Sequence, residues 1–353
     1  MGVALRTFAD VPPEAWDDFV FRHPQGSLYH GSPWQSLLRQ TFGYGEKGIV
    51  IIRDGVVCGG VALFEISGFG HTRLASSPFR DRGGILAASD ADRALLVEEV
   101  RKLIRKGRYR LAVIKEEQQY PSGFVSSQGL QESSPFITTQ VDLRNGSEAL
   151  WRSLKNNAQG PVKQAQALGV TVRESGTERD MDIFYRLFVR TRKELGIPCF
   201  SRAFFQRILE AYVKRQTGKL FIAYKNTTPV AGILLLCFKD TVIDGYAASL
   251  AGYRDTRAND LLVWTSLAWS CAHGYRRFDF GADSEKQKGL LEFKRKWHGE
   301  QRHVYQYCVL SCPGAGEAID SSEEKYRFAR SIMRALPSWV FMRVSSLLVP
   351  GLG

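Results

Sequence analysis

Hydrophobic and polar positions along this chain fall into two periods, and the same succession of periods occurs twice, about 170 residues apart. Residues 49–66 (IVIIRDGVVCGGVALFEI) alternate with a period of two on either side of Asp54-Gly55, a strong hairpin signal. Residues 92–116 (DRALLVEEVRKLIRKGRYRLAVIKE) then turn to a helical period and close on an apolar strand. The second copy reads LFIAYKNTTPVAGILLLCFK over 220–239 and ANDLLVWTSLAWSCAHGYRRFDFGA over 258–282. Gly60 answers to Gly232, Leu95-Leu96-Val97 to Leu261-Leu262-Val263, and Gly107 to Gly274. Hairpin, connection, helix and closing strand, repeated at this length, predict two similar domains.

The rest of the chain fits around these copies. Helices are predicted over 13–22, with Trp16, Phe19 and Val20 inward, and over 32–42, started by Ser32-Pro33 and stopped by Gly43. Residues 56–66 read as one continuous strand and 136–143 as another. Residues 148–168 are helical in period but contain Gly160-Pro161, which predicts a break there. Further helices are expected over 180–195, 202–216, 259–273 and 290–296, and strands over 170–174, 241–248, 276–281 and 304–310. These patterns place domains at 1–145 and 146–312, with a helical tail over 313–353.

Composition narrows the class. With 353 residues and 44% hydrophobic content, the chain is long enough for two cores. No apolar run is long enough to span a bilayer, and MGVALRTFADVPPEAW does not read as a signal peptide. The six cysteines are scattered, as in a reduced cytosolic protein, and Cys308 and Cys312 lack partner ligands for zinc. The six histidines form no HxxxH or HxH pair, and no GxSxG appears, so metalloenzyme and serine-hydrolase chemistry are not expected. Net charge is +12, and the excess is concentrated. Residues 186–219 hold nine Lys and Arg against Glu194 and Glu210, and 152–173 hold four basic residues and no acid. Such a field suits polyanions: tRNA, pyrophosphates, coenzyme A or an anionic surface.

Several segments resemble one family. SPWQSLLRQTFG (32–43), SLKNNAQGPVKQAQALGVTV (153–172), RKELGIPCFSRAFFQRI (192–208) and above all FDFGADSEKQKGLLEFKRKWHG (278–299) resemble the FemAB family. That family has the GNAT fold and is related to the BioF2-like acetyltransferase domain. Its closing strand, D-G turn, polar loop and FK pair, followed by an aromatic three residues later, are matched by Asp279, Gly281, Phe293-Lys294 and Trp297. SSPFRDRGG (76–84) is similar to subfamilies tied to exopolysaccharide clusters. The resemblance implies two tandem GNAT-like α/β domains with mixed, mostly antiparallel sheets flanked by helices. It also implies acyl or aminoacyl transfer to an amine in cell-envelope biosynthesis, peptidoglycan or exopolysaccharide. Two alternatives stay open: an acyl-CoA-dependent N-acetyltransferase acting on a sugar amine, and a non-catalytic nucleic-acid or lipid-surface binder.

The sequence departs from the relatives at RDTRAND (254–260), where Arg257 stands in place of a glycine of the pyrophosphate loop. A close approach of acyl-CoA is disfavoured there, so aminoacyl-tRNA is the expected donor, with acyl-CoA second and no bound cofactor or metal. Lys294 is the candidate for stabilising charge on the ester oxygen, and Asp283 for taking the amine proton. Phe293 is a candidate for stacking on a terminal base, and Lys155, Arg257 and Asn259 for phosphate contacts. Arg80 and Asp81 are candidates on the acceptor side, in a loop expected to be exposed and to pair with each other, and Trp34 is a candidate substrate-binding residue, read as core or cleft wall ahead of a stacking platform. An anionic envelope precursor is the expected acceptor. The location would be the cytoplasm, with peripheral contact at the inner membrane surface left open. In the tail, Trp339, Phe341, Val344 and Leu348 are expected to pack against protein.

Overall fold

The turn at Asp54-Gly55 forms as its residue types demand, with φ of 51° and 82° at the two positions. A computed structural model describes residues 2–68, 70–107, 109–310 and 323–353. In chain order the first elements are β1 (Val3–Thr7), α1 (Pro13–Arg22), α2 (Ser32–Phe42), β2 (Gly45–Glu46), β3 (Ile49–Arg53) and β4 (Val56–Val61). Next come β5 (Phe64–Gly68), β6 (His71–Ala75), β7 (Leu86–Ala87), α3 (Asp90–Gly107), β8 (Leu111–Glu116) and α4 (Ser122–Ser127). They are followed by β9 (Gln131–Asp142), α5 (Gly146–Ser153), α6 (Asn156–Ala167), β10 (Val170–Ser175), α7 (Glu178–Leu195) and α8 (Arg202–Ile208). The remainder is β11 (Gly218–Lys225), β12 (Thr228–Phe238), β13 (Thr241–Ser249), α9 (Ala258–Ala272), β14 (Arg277–Ser284), α10 (Lys288–Arg295), β15 (Glu300–Leu310), α11 (Glu323–Ala335) and α12 (Ser338–Leu352).

Two compact units result. Among the described residues, one holds 2–136, 303–310 and 347–353, and the other 137–302 and 323–346. Both are discontinuous in sequence, whereas the sequence reading drew contiguous domains bounded at 145 and 312.

In the first unit, β3 and β4 pair antiparallel within a sheet ordered β1-β3-β4-β7. The strand expected over 56–66 divides, because β5 leaves this sheet to pair with β6. A second sheet runs β15-β8-β6-β5-β2, with β6 and β8 parallel. The helical stripe Leu96, Val97, Val100 and Ile104 of α3 is fully buried with Ile51, Val61 and Ile114.

In the second unit the order is β10-β11-β12-β13-β14-β9. β10, β11, β12 and β13 pair antiparallel in turn, and β13 and β14 pair parallel over Thr241–Ile243 and Arg277–Asp279. α5, α6 and α9 cover one face with Ala158, Val162, Leu262 and Leu267. α7 and α8 supply an aromatic cluster in which Phe188, Phe204 and Phe205 meet Tyr246 of β13.

Three helices differ from expectation, the first being that expected over 202–216, which ends as α8 at Ile208 and continues as a π-helical segment over Leu209–Val213. The helical stretch over 148–168 breaks at Leu154-Lys155, and Gly160-Pro161 lies inside α6. Pro161 forfeits one bond to the carbonyl of Asn157, while Gln159 Nε2 ties the break by donating to Trp151 O (2.7 Å) and Leu154 O (3.0 Å). α7 begins at Glu178, because Thr177 caps it and Asp180 closes a reciprocal capping box. In the tail, Phe341 is buried and Val344 and Leu348 are half-buried, but Trp339 stands exposed, contrary to expectation.

The duplicated glycines have a shared cause. A Cβ at Gly60 would lie 2.7 Å from the ring of Trp16 on α1, and one at Gly232 would lie 2.8 Å from the ring of Phe184 on α7. Each unit thus seats a helix aromatic directly on a strand backbone, which only glycine permits. Gly60→Ala and Gly232→Ala are each expected to lower stability by about 1–3 kcal/mol through overpacking. Chemical denaturation of each variant tests this, and unchanged midpoints would remove the shared role.

Candidate active site

The segment 278–299 builds a charged centre at the end of β14. Asp279 is fully buried and accepts hydrogen bonds from Thr138 Oγ1 (2.9 Å), Gln140 Nε2 (3.0 Å) and the backbone N–H of Gly281 (2.7 Å). Gly281 takes φ of 70°, a left-handed value suited to glycine. The resulting turn presents the carbonyls of Phe280 and Gly281 to α10, where Lys294 Nζ donates to both, at 2.7 and 3.2 Å. Lys294 also forms an ion pair with Asp283, and it is only 7% exposed. The two residues singled out for chemistry are therefore in contact. Lys294 directs its charge to two carbonyls and one carboxylate.

A second lysine of the same segment ties this centre to α9. Lys296 pairs with the buried Asp260 in the first turn of α9, and its Nζ lies 4.2 Å from the centroid of Phe293. Phe293 is partly buried against the core of the unit, so one part of its ring is already used in packing. Through the Lys296–Asp260 pair, Arg257 and Asn259 at the start of α9 belong to the same neighbourhood as Phe293, Lys294 and Asp283.

Arg257 adopts φ of 57° and Nε donates to Gln164 Oε1 at 3.4 Å. The backbone keeps the left-handed shape that glycine would give, while the side chain reaches α6. Lys155 is exposed at the N-cap of α6. It is nine residues from Gln164, about 13 Å along the helix, so it is not beside Arg257.

Trp34, Arg80 and Asp81 belong to the first unit. Trp34 is buried, and the Arg80 guanidinium lies 5.1 Å from its ring centroid and 5.2 Å from that of Tyr29. The loop is not exposed as expected: Ser76, Ser77 and Arg82 are buried. Asp81 pairs with Arg82 at 3.0 Å, which also reaches Glu117 at 3.0 Å, and the charge of Arg80 acts on the same carboxylate. Stacking on two aromatic rings orients the Arg80 guanidinium. Burial alone would raise the Asp81 carboxyl, but the charge and hydrogen bond of Arg82 hold it below its usual range.

Beneath this loop lie two further buried groups. Lys115 Nζ donates to Ser77 O at 3.0 Å, and burial pushes its ammonium down to about 8 against the charge of Asp81. Glu116 accepts from Ile85 N (2.7 Å) and from the Tyr120 hydroxyl. Burial pushes its carboxyl up to about 7 in spite of those bonds.

Asp260, Lys296, Thr138, Gln140, Arg82, Lys115 and Glu116 carry no expected role from the sequence, and Asp279 is marked there only as part of the family's turn. A signal existed for Lys296, two residues beyond Lys294 in the same basic helix end. Thr138 and Gln140 carried none, since their partner Asp279 is 141 and 139 residues away. Among the described residues no cluster of His, Cys, Asp or Glu is arranged to hold a metal. Cys312 lies outside the described residues.

These features define a class. Residues 152–295, the stretch that carries Lys155, Arg257, Asn259, Asp283, Phe293 and Lys294, match the acetyltransferase (GNAT) domain family. Solved structures extend the fold to both units. FemX is similar at 15% identity and a TM-score of 0.70, over 94% of this chain and 100% of its own. A tandem GNAT protein from the clavulanic acid biosynthesis pathway is similar at 14% identity and a TM-score of 0.58, over 89% of this chain and 100% of its own. L-PGS from Bacillus licheniformis follows at 12% and 0.56, over 92% of this chain and 98% of its own. The search of curated proteins finds no match to the sequence. The fold is therefore tandem GNAT, as the FemAB resemblance implied.

Glu116 offers a test of the buried polar layer in the first unit. Between its ordinary value of 4.5 and about 7, the folded state keeps a proton that the unfolded state has lost. Unfolding free energy should therefore fall as pH rises through that window and level off above it. Glu116→Gln keeps an acceptor oxygen and should flatten this decline, which denaturant unfolding between pH 4.5 and 8 would measure. Parallel wild-type and variant curves would show that Glu116 does not titrate in this window.

Proposed function

We propose that this chain transfers an aminoacyl group from aminoacyl-tRNA to an amine of an anionic cell-envelope precursor, peptidoglycan or exopolysaccharide. The observation that carries this reading is the Lys294–Asp283 pair, set in a GNAT domain beside an α9 start that has Arg257 where acyl-CoA enzymes have glycine. The likeness in fold to FemX and to the C-terminal domain of a putative lysylphosphatidylglycerol synthetase from Agrobacterium fabrum supports the choice of envelope substrates.

The step runs as follows. The acceptor amine attacks the ester carbonyl carbon, and the new C–N bond forms as the carbonyl oxygen takes up negative charge. Lys294 is the cation beside that oxygen. Asp283, ionised in its pair, accepts the amine proton, which loosens its hold on Lys294 as the oxyanion forms. The bond from carbon to the ribose oxygen then breaks, and the proton leaves with that oxygen. Phe293, Arg257 and Asn259 would lie along the donor's end, and Lys155 would meet a phosphate farther out.

A second reading keeps acyl-CoA as donor, because the left-handed backbone at Arg257 preserves the shape of a pyrophosphate loop. Binding separates the two. Filter binding of tRNA and of acetyl-CoA at two salt concentrations should show tRNA retained, with affinity falling by about 0.7–0.9 log unit per log salt for each phosphate contact. Micromolar acetyl-CoA binding without tRNA binding would reverse the order.

Lys294→Ala should cut turnover by about 10² or more. It should also destabilise the fold by about 3–5 kcal/mol, because a nearly buried carboxylate loses its partner. Lys294→Met with Asp283→Asn removes both charges and should recover most of that stability but none of the turnover. Recovery of both would leave the pair a purely structural role.

A further inference from the structure

Helix α11 rests on the C-terminal end of α7. The backbone of Arg330 lies against Gly196, Arg334 Nη2 donates to Leu195 O at 3.4 Å, and Met333 is buried. The side of α11 away from this contact is uncovered. Phe328 is 70% and Ile332 47% exposed, and their i, i+4 spacing puts them on one face. Just past the break at Pro337, Trp339 is 72% exposed at the start of α12. Single exposed apolar residues are ordinary, but Phe328 and Ile332 share one face, and a third large apolar residue stands exposed seven residues beyond Ile332.

The charge around them is of one sign. From Lys325 to Gly353 the sequence contains no Asp or Glu. Arg327, Arg330 and Arg334 are exposed on α11. Arg334 shares a cleft with Arg186, Arg190 and Lys193 of α7, where Glu194 is the acidic residue in the lining. A second copy of this basic face would be repelled by the first, which disfavours a symmetric contact between two chains. A layer of phosphates over an apolar interior satisfies both properties at once: cations meet the headgroups, and aromatic and aliphatic side chains enter below them.

We propose that α11 and the start of α12 dock on an anionic phospholipid surface. Phe328, Ile332 and Trp339 enter the boundary between headgroups and acyl chains. Arg327 flanks that face and meets the phosphates, and Arg330, Arg334 and the α7 cations, on the side of α11 toward α7, add to the attractive field. Among the described residues no helix is long and apolar enough to cross a membrane, so this contact is peripheral. It does not depend on the identity of the acyl donor.

Co-sedimentation of the full chain with vesicles containing phosphatidylglycerol, and with vesicles of phosphatidylcholine alone, tests the proposal. The chain should pellet with the anionic vesicles and be released as salt rises. Phe328→Ser/Ile332→Ser/Trp339→Ser should weaken binding about tenfold or more. Arg327→Glu/Arg330→Glu should do the same, since each cation at such a surface is worth about fivefold. Thermal unfolding should be unchanged in both variants, because the altered side chains are exposed. If the triple variant melts early, Trp339→Ser alone gives the answer. Failure to pellet, equal binding to both vesicle types, or full binding by the apolar variants would overturn the proposal. So would a dimer in solution that dissociates on Trp339→Ser.

Discussion

A carboxylate with no access to water governs the geometry of the candidate site. Asp279 would be costly to bury alone, and it is stable where it lies because three donors converge on it. Two of those donors come from β9 and the third is the backbone of Gly281, so one side chain fixes the pairing of two strands and the left-handed turn that follows. The carbonyls of that turn then hold Lys294, and Lys294 holds Asp283. Removing the buried charge would relax each of these in succession, although Asp279 itself touches neither donor nor acceptor in the proposed reaction.

The second constraint is the pair of lysines on one short helix. Lys294 reaches β14 and Lys296 reaches α9, so α10 is fixed at two points to two elements. This double attachment places the FK pair beside the α9 start. It also accounts for Arg257 in a conformation usual for glycine: Asp260, three residues on, is held from the other side, and the guanidinium has Gln164 as a partner. The cost of a left-handed non-glycine residue, about 1–2 kcal/mol, is borne by the surrounding contacts.

Much of this was legible in the sequence wherever period or residue type acts locally. The hairpin at Asp54-Gly55, the stripe of α3 and the helix opened by Ser201 follow from neighbours a few residues apart. The family pattern marks Lys294 and the loop position marks Asp283 as separate candidates, and their contact appears only in the structure. The misreadings share another cause. Gly160-Pro161 looked like a break because local propensity ignores the packing of Ala158, Val162 and Ala165 that holds α6 together. The closer partner of Asp81 is Arg82, which adjacency alone does not distinguish from Arg80. Trp339 was placed inside because apolar character states a preference for burial, whereas the fold decides which faces are covered.

The discontinuity of the first unit has a consequence for its synthesis. Its strand β8 pairs with β15, and the backbone N–H of Tyr120 donates to the Tyr307 hydroxyl across 187 residues of chain. At about 5–20 residues per second on the ribosome, that interval lasts roughly 10–40 s. Throughout it, the pairing edge of β8 and the ring of Tyr120 await partners that have not yet been made. The sheet of the second unit, by contrast, lies wholly within the intervening stretch and has all its strands by Ser284. The domain that begins first is therefore the last to close, and its unfinished edge is where nascent chains are most open to mispairing and to chaperone capture.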